Sequence, residues 1–74
     1  MPREVENKIE AMIRGEVKYT SAFLGFNLLI ARLVRRYDAD PSAGVMDRCM
    51  QEAREFFKKY EIIMSKEYSQ ISRA

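Results

Sequence analysis

Seventy-four residues make one domain at most, and a core built from so short a chain is only marginally stable alone. The chain is 47% hydrophobic and 32% charged, too apolar for an intrinsically disordered segment and too charged for a membrane protein. Thirteen basic against 11 acidic residues leave a net charge of +2, so whole-chain charge provides no strong steering toward nucleic acid or anionic lipid.

At the N-terminus, Pro2 suits the first turn of a helix, where its missing N–H costs nothing, and Glu4 and Glu6 complement the positive end of the dipole. Apolar residues then recur four and three apart through Val5, Ile9, Met12, Tyr19, Phe23, Phe26, Ile30, Leu33 and Tyr37, with Glu16 the sole interruption. The spacing predicts one helix over about residues 2–37, roughly 50 Å long. Gly15 and Gly25 fall inside it at about 1 kcal/mol each, which a slight bend or the close approach of a neighbouring helix must offset. Glu10 and Arg14 are set one turn apart as an ion pair, and Arg32, Arg35 and Arg36 suit the C-terminal end.

Asp38-Ala39-Asp40 reads as the turn, over residues 38–40. Asp40 is placed to cap a second helix with Pro41 in its first position, and Ser42 is the competing cap. A second stripe, Met46, Met50, Ala53, Phe57, Tyr60, Met64 and Ile71, predicts a helix over about residues 41–71, with Glu52 and Glu55 off the stripe. The expected fold is therefore all-α, a two-helix antiparallel hairpin occupying residues 1–74 as a single domain.

Such a hairpin hides one stripe per helix, and this chain has more to hide. Ala22, Leu24, Leu28, Leu29 and Val34 widen the first stripe, and Cys49, Phe56, Ile62 and Ile63 widen the second. Burial of a leucine- or phenylalanine-sized side chain is worth roughly 1.5–3 kcal/mol, so a second chain is expected to cover the excess. Two hairpins make a four-helix bundle, and the expected homodimer interface is Phe23, Phe26, Leu29, Ile30, Leu33, Phe56, Phe57, Tyr60 and Ile63. An unidentified protein partner is the alternative cover. The hairpin plan together with Asp38-Ala39-Asp40 resembles the Rop family of plasmid copy-number proteins; the resemblance is confined to those features and implies a bundle architecture alone.

Histidine is absent, which removes the commonest general base and metal ligand, and there is no phosphate loop, nucleophile elbow or cysteine-pair motif. Neither an enzyme nor a cofactor is expected. Glu16 and Glu67 are the acids that fall on the stripes, and a hairpin folded at residue 40 brings them about one turn apart. Gathered carboxylates have raised pKa values and can bind metal, whereas the ordinary alternative leaves each at the seam edge against a tyrosine or lysine. Arg32, Arg35, Arg36 and Arg48, with Tyr37 among them, form the best nucleic-acid candidate, although Asp38, Asp40 and Asp47 offset them.

Cys49 is the single cysteine, so no disulfide forms within the chain and a reducing compartment is expected. The charged start lacks a signal-like apolar core, and the stretch from Tyr19 to Val34 is shorter than a bilayer span and contains Asn27 and Arg32. These features predict a cytoplasmic protein that does not engage membranes. The expected function is protein–protein interaction, as a regulator, adaptor or small subunit, with RNA or DNA binding through the arginine cluster as the alternative.

Overall fold

A computed structural model describes residues 2–19 and 21–61. They form three helices, α1 (Arg3–Ile13), α2 (Leu24–Ala39) and α3 (Ala43–Lys59), each packed against the other two, with no strand among the described residues. The all-α class stands, but three helices replace the two-helix hairpin.

The difference lies at Gly15. Its φ is +78°, in the left-handed region that a Cβ disfavours. There the N–H of Gly15 donates to the carbonyl of Met12 at 3.1 Å, and the N–H of Glu16 reaches back to the carbonyl of Ala11 at 2.9 Å. This pair of bonds is the Schellman closure of a helix, with Gly15 in the position that glycine favours. The helix expected over residues 2–37 therefore stops at Ile13, and α1 folds back against the other two helices. The break also resolves the one conflict in the stripe, because Glu16 lies in the connection and is exposed.

Beyond the break the chain stays close to the core, with Val17, Tyr19 and Phe23 half-buried against it. Ser21 Oγ accepts from the N–H of Phe23 at 2.9 Å, and Asn27 Nδ2 donates to the Ser21 carbonyl at 2.6 Å, tying the connection to the first turn of α2. Gly25 has a local role there, since a Cβ would come 3.3 Å from the Phe23 ring.

Between α2 and α3, Asp40 closes the earlier helix, its N–H donating to the carbonyls of Arg36 and Tyr37. Ser42 caps α3 instead of Asp40, its Oγ accepting from the N–H of Val45 at 3.2 Å, and Pro41 lies before the helix and not within it. The helix ends at Lys59, followed by Tyr60 at φ −120° and ψ 38°. The predicted continuation from Ile62 to Ile71 lies outside the described residues.

Val5, Ile9, Met12 and Ile13 of α1 meet Phe26, Leu29, Ile30 and Leu33 of α2 and Met46, Cys49, Met50, Ala53 and Phe57 of α3 in one core. Tyr19 stands edge-on to Phe26 with ring centres 5.1 Å apart, and Phe26 meets Phe57 nearly perpendicular at 5.8 Å. Three helices thus cover with one chain most of what a hairpin leaves to a second. Among the described residues, Leu24 at 68% and Leu28 at 62% are the large apolar side chains left exposed.

Phe26 is 0% exposed at the centre of this core, so Phe26→Ala is expected to lose about 3–5 kcal/mol and unfold most of the population. Ser42→Ala, which removes one cap bond, is expected to lose about 1 kcal/mol. Urea denaturation followed by circular dichroism measures both.

Candidate interaction surface

Helix α2 presents three different sides. Its core side carries Phe26, Leu29, Ile30 and Leu33. On the flank toward α3, Arg32 Nη2 donates to Glu52 Oε1 at 3.0 Å, while Arg36 Nη1 donates to Glu52 Oε2, so one carboxylate bridges two arginines of successive turns. The outward side carries Leu24, Leu28, Ala31 and Arg35, all exposed and spaced four, three and four apart, which keeps them on one face.

The four arginines of the predicted cluster therefore do not act alike. Arg32 and Arg36 are joined through Glu52, Arg35 stands on the outward face of α2, and Arg48 is exposed on α3. Among the described residues Arg35 and Arg48 enter no ion pair within 4.0 Å. Tyr37 turns elsewhere: its hydroxyl accepts from Arg14 Nη1 at 3.3 Å, and the Arg14 guanidinium lies 5.8 Å from the centre of its ring. Arg14 also pairs with Glu10 at 3.4 Å, so this site couples α1 to α2.

Of the residues expected at a homodimer interface, Phe26, Leu29, Ile30, Leu33 and Phe57 are buried in the chain's own core. Phe23, Phe56 and Tyr60 are half-buried at its rim, with Phe56 and Tyr60 ring centres 4.7 Å apart, and Ile63 lies outside the described residues. Leu29, Phe56 and Tyr60 line an open groove of about 280 Å³ between α2 and α3, together with Arg32, Glu52, Glu55 and Lys59. Arg32 follows Leu28 by one helical turn and so stands between the groove and the outward leucines.

The juxtaposition expected of Glu16 and Glu67 finds no support at Glu16, which is exposed beyond the end of α1; Glu67 lies outside the described residues. No group of three or more metal-ligating side chains occurs among the described residues. No helix among them is long and apolar enough to cross a membrane.

Cys49 is 0% exposed, and its Sγ lies 3.9 Å from the Leu33 carbonyl as a weak donor. Burial raises the thiol pKa above its ordinary 9.0; the Arg36 guanidinium pulls it down and the Glu52 carboxylate adds to the rise.

Two features escape a reading by stripe alone. Glu52 lies off the apolar stripe of α3 and reads as solvated surface, yet the packing of α2 on α3 brings it between two arginines. Its spacing from Arg48, one turn earlier, marks the charged side of the helix but says nothing of the arginines on α2. Leu24 and Leu28 belong to a segment apolar on nearly every side, and their exposure follows only once the three-helix packing sets which side faces out. Comparison with protein-family models, with curated protein sequences and with solved structures finds no match to this chain.

Because folding raises the Cys49 pKa, the folded state holds its thiol proton more tightly than the unfolded chain does. The stabilisation is complete below pH 9 and is lost as pH rises past it, so stability should fall more steeply above pH 9 in the native chain than in Cys49→Ala; parallel urea titrations give the two slopes. Glu52→Ala removes two partly exposed ion pairs and should lose about 1 kcal/mol, less in high salt, as thermal melts at low and high salt will show.

Proposed function

We infer that this chain works as a non-catalytic binding module for another protein, serving as a regulator, adaptor or small subunit. The observation that supports it is the outward face of α2, where Leu24 and Leu28 are 68% and 62% exposed and Ala31 continues the line. Leucines four residues apart followed by a small residue are the anchors on which the apolar stripe of a partner helix packs. Arg35 continues that face and Arg32 borders it, so the partner fitted by its charge is an amphipathic helix carrying acidic residues beside its apolar stripe. The single buried thiol suits a reducing cytoplasm, where such a module meets its partner.

The nucleic-acid reading loses ground on the same geometry. Two of its four arginines already neutralise Glu52, which leaves Arg35 and Arg48 on different helices.

Affinity capture from cell extract with the native chain and with Leu24→Glu/Leu28→Glu tests the proposal. Both positions are exposed, so the variant should keep its melting temperature within a few degrees while losing the captured protein. A captured protein whose binding weakens with salt and with Arg35→Glu fits the expected acidic helix. Capture indifferent to the leucine substitutions contradicts the reading. So does submicromolar binding of RNA or DNA at about 50 mM salt that disappears in Arg32→Ala/Arg36→Ala/Arg48→Ala.

A further inference from the structure

We propose that the turn at Gly15 is a hinge through which two copies of this chain exchange α1. In the exchanged form each chain runs as one continuous helix from Arg3 to Ala39, and the dimer contains four helices, two long ones and two copies of α3. The second copy is the partner, and the inference is independent of the outward leucines of α2.

The first support is the phase of the apolar stripe. Val5, Ile9 and Met12 lie before the break and Phe26, Ile30 and Leu33 after it, yet Tyr19 and Phe23 continue the same four-and-three spacing across the connection. A connection that serves only to reverse the chain has no need of helical phase; a segment that also forms helix does.

A second support is that no residue of the connection bars a helix. Among the described residues Gly15 alone has a positive φ, and no proline occurs between Pro2 and Pro41. Gly15 passes between the left- and right-handed regions at little cost, and the rest of the connection, including Phe23 at φ −87° and ψ 103°, must turn helical with it. The contacts of α1 need not change on exchange, since Val5, Ile9, Met12 and Ile13 meet the same residues on a second copy. The Glu6–Arg54 ion pair, which ties α1 to α3, then forms between chains.

Local bonds oppose the opening. The two Schellman hydrogen bonds, the edge-on contact of Tyr19 with Phe26 and the Ser21–Asn27 bond belong to the closed form, and opening returns Glu16 to the stripe. The closed monomer therefore prevails when dilute, and concentration favours the exchanged dimer.

Gly15→Ala tests the hinge because alanine is disfavoured at φ +78° and favoured inside a helix. Both effects act on each chain of the dimer, so the dimerisation constant should rise by at least about a hundredfold, with about ten more helical residues per chain by circular dichroism. Adding Lys18→Pro, which forbids a continuous helix at an exposed connection residue, should return the protein to monomer. Mixing a Glu6→Cys chain with an Arg54→Cys chain, both in the Gly15→Ala background, should yield a covalent heterodimer with a short thiol cross-linker. A Gly15→Ala protein that stays monomeric and merely melts lower overturns the proposal. So does a dimer that fails to cross-link between positions 6 and 54 or that survives Lys18→Pro. If Gly15→Ala does not fold, the native chain refolded at millimolar concentration replaces it: a dimer separable by gel filtration and absent in Lys18→Pro is expected, and its absence in the native chain counts against exchange.

Discussion

Gly15 stands at φ +78°, and the direction of the chain after α1 depends on that dihedral. Because the helix closes there on its own carbonyls, eleven residues of α1 lie across both α2 and α3 instead of prolonging α2 into solvent. Val5, Ile9, Met12 and Ile13 then complete a core that α2 and α3 alone leave open on one side. For so short a chain this matters, since folding back raises the helix–helix seams from one to three without adding a residue. The polar contacts between helices follow from the same reversal: Arg14 reaches Tyr37, and Arg54 reaches Glu6, only because α1 runs beside the other two.

Once α1 is in place, the sides of α2 are assigned by what remains to cover them. The core takes one side, the Glu52 carboxylate takes the arginine flank, and nothing in the described chain covers Leu24 and Leu28. The bridged arginines contribute little stability individually, as partly exposed pairs do, but they hold the α2–α3 crossing and reduce the local positive charge. An apolar strip thus borders a partly neutralised basic flank. On the proposed reading, that combination suits a protein helix with some acidic character better than a nucleic-acid phosphate backbone, for which unpaired guanidinium groups count most.

The periodicity in the chain made the helical class and nearly all of the core legible. Val5, Ile9, Met12, Phe26, Ile30, Leu33, Met46, Met50, Ala53 and Phe57 all lie on the predicted stripes and are all buried. The break was not legible, because Tyr19 and Phe23 keep the helical phase and a single glycine weighs only about 1 kcal/mol against it. Glu16 was the available clue: an acid in an apolar seam is better explained by an interrupted helix than by a buried carboxylate. Ser42 displaced Asp40 as the cap because Asp40 still belongs to the end of α2, so the connection is two residues later than Asp-Pro suggests. The dimer inferred from excess apolar width rested on two helices per chain; the three-helix core takes in Leu29, Val34, Cys49 and Phe56 and, among the described residues, leaves Leu24 and Leu28 exposed.

The position of Cys49 gives the molecule a built-in clock for its own opening. It is the single sulfhydryl, fully enclosed between α2 and α3, and its raised pKa keeps it in the unreactive thiol form at neutral pH. An alkylating reagent can therefore attack only in the moments when the core around it opens. The rate of alkylation at increasing reagent concentration passes from reporting how often the closed state is lost to reporting how fast it is left. The native chain thus carries, without any added label, a chemical readout of the lifetime of its closed three-helix core.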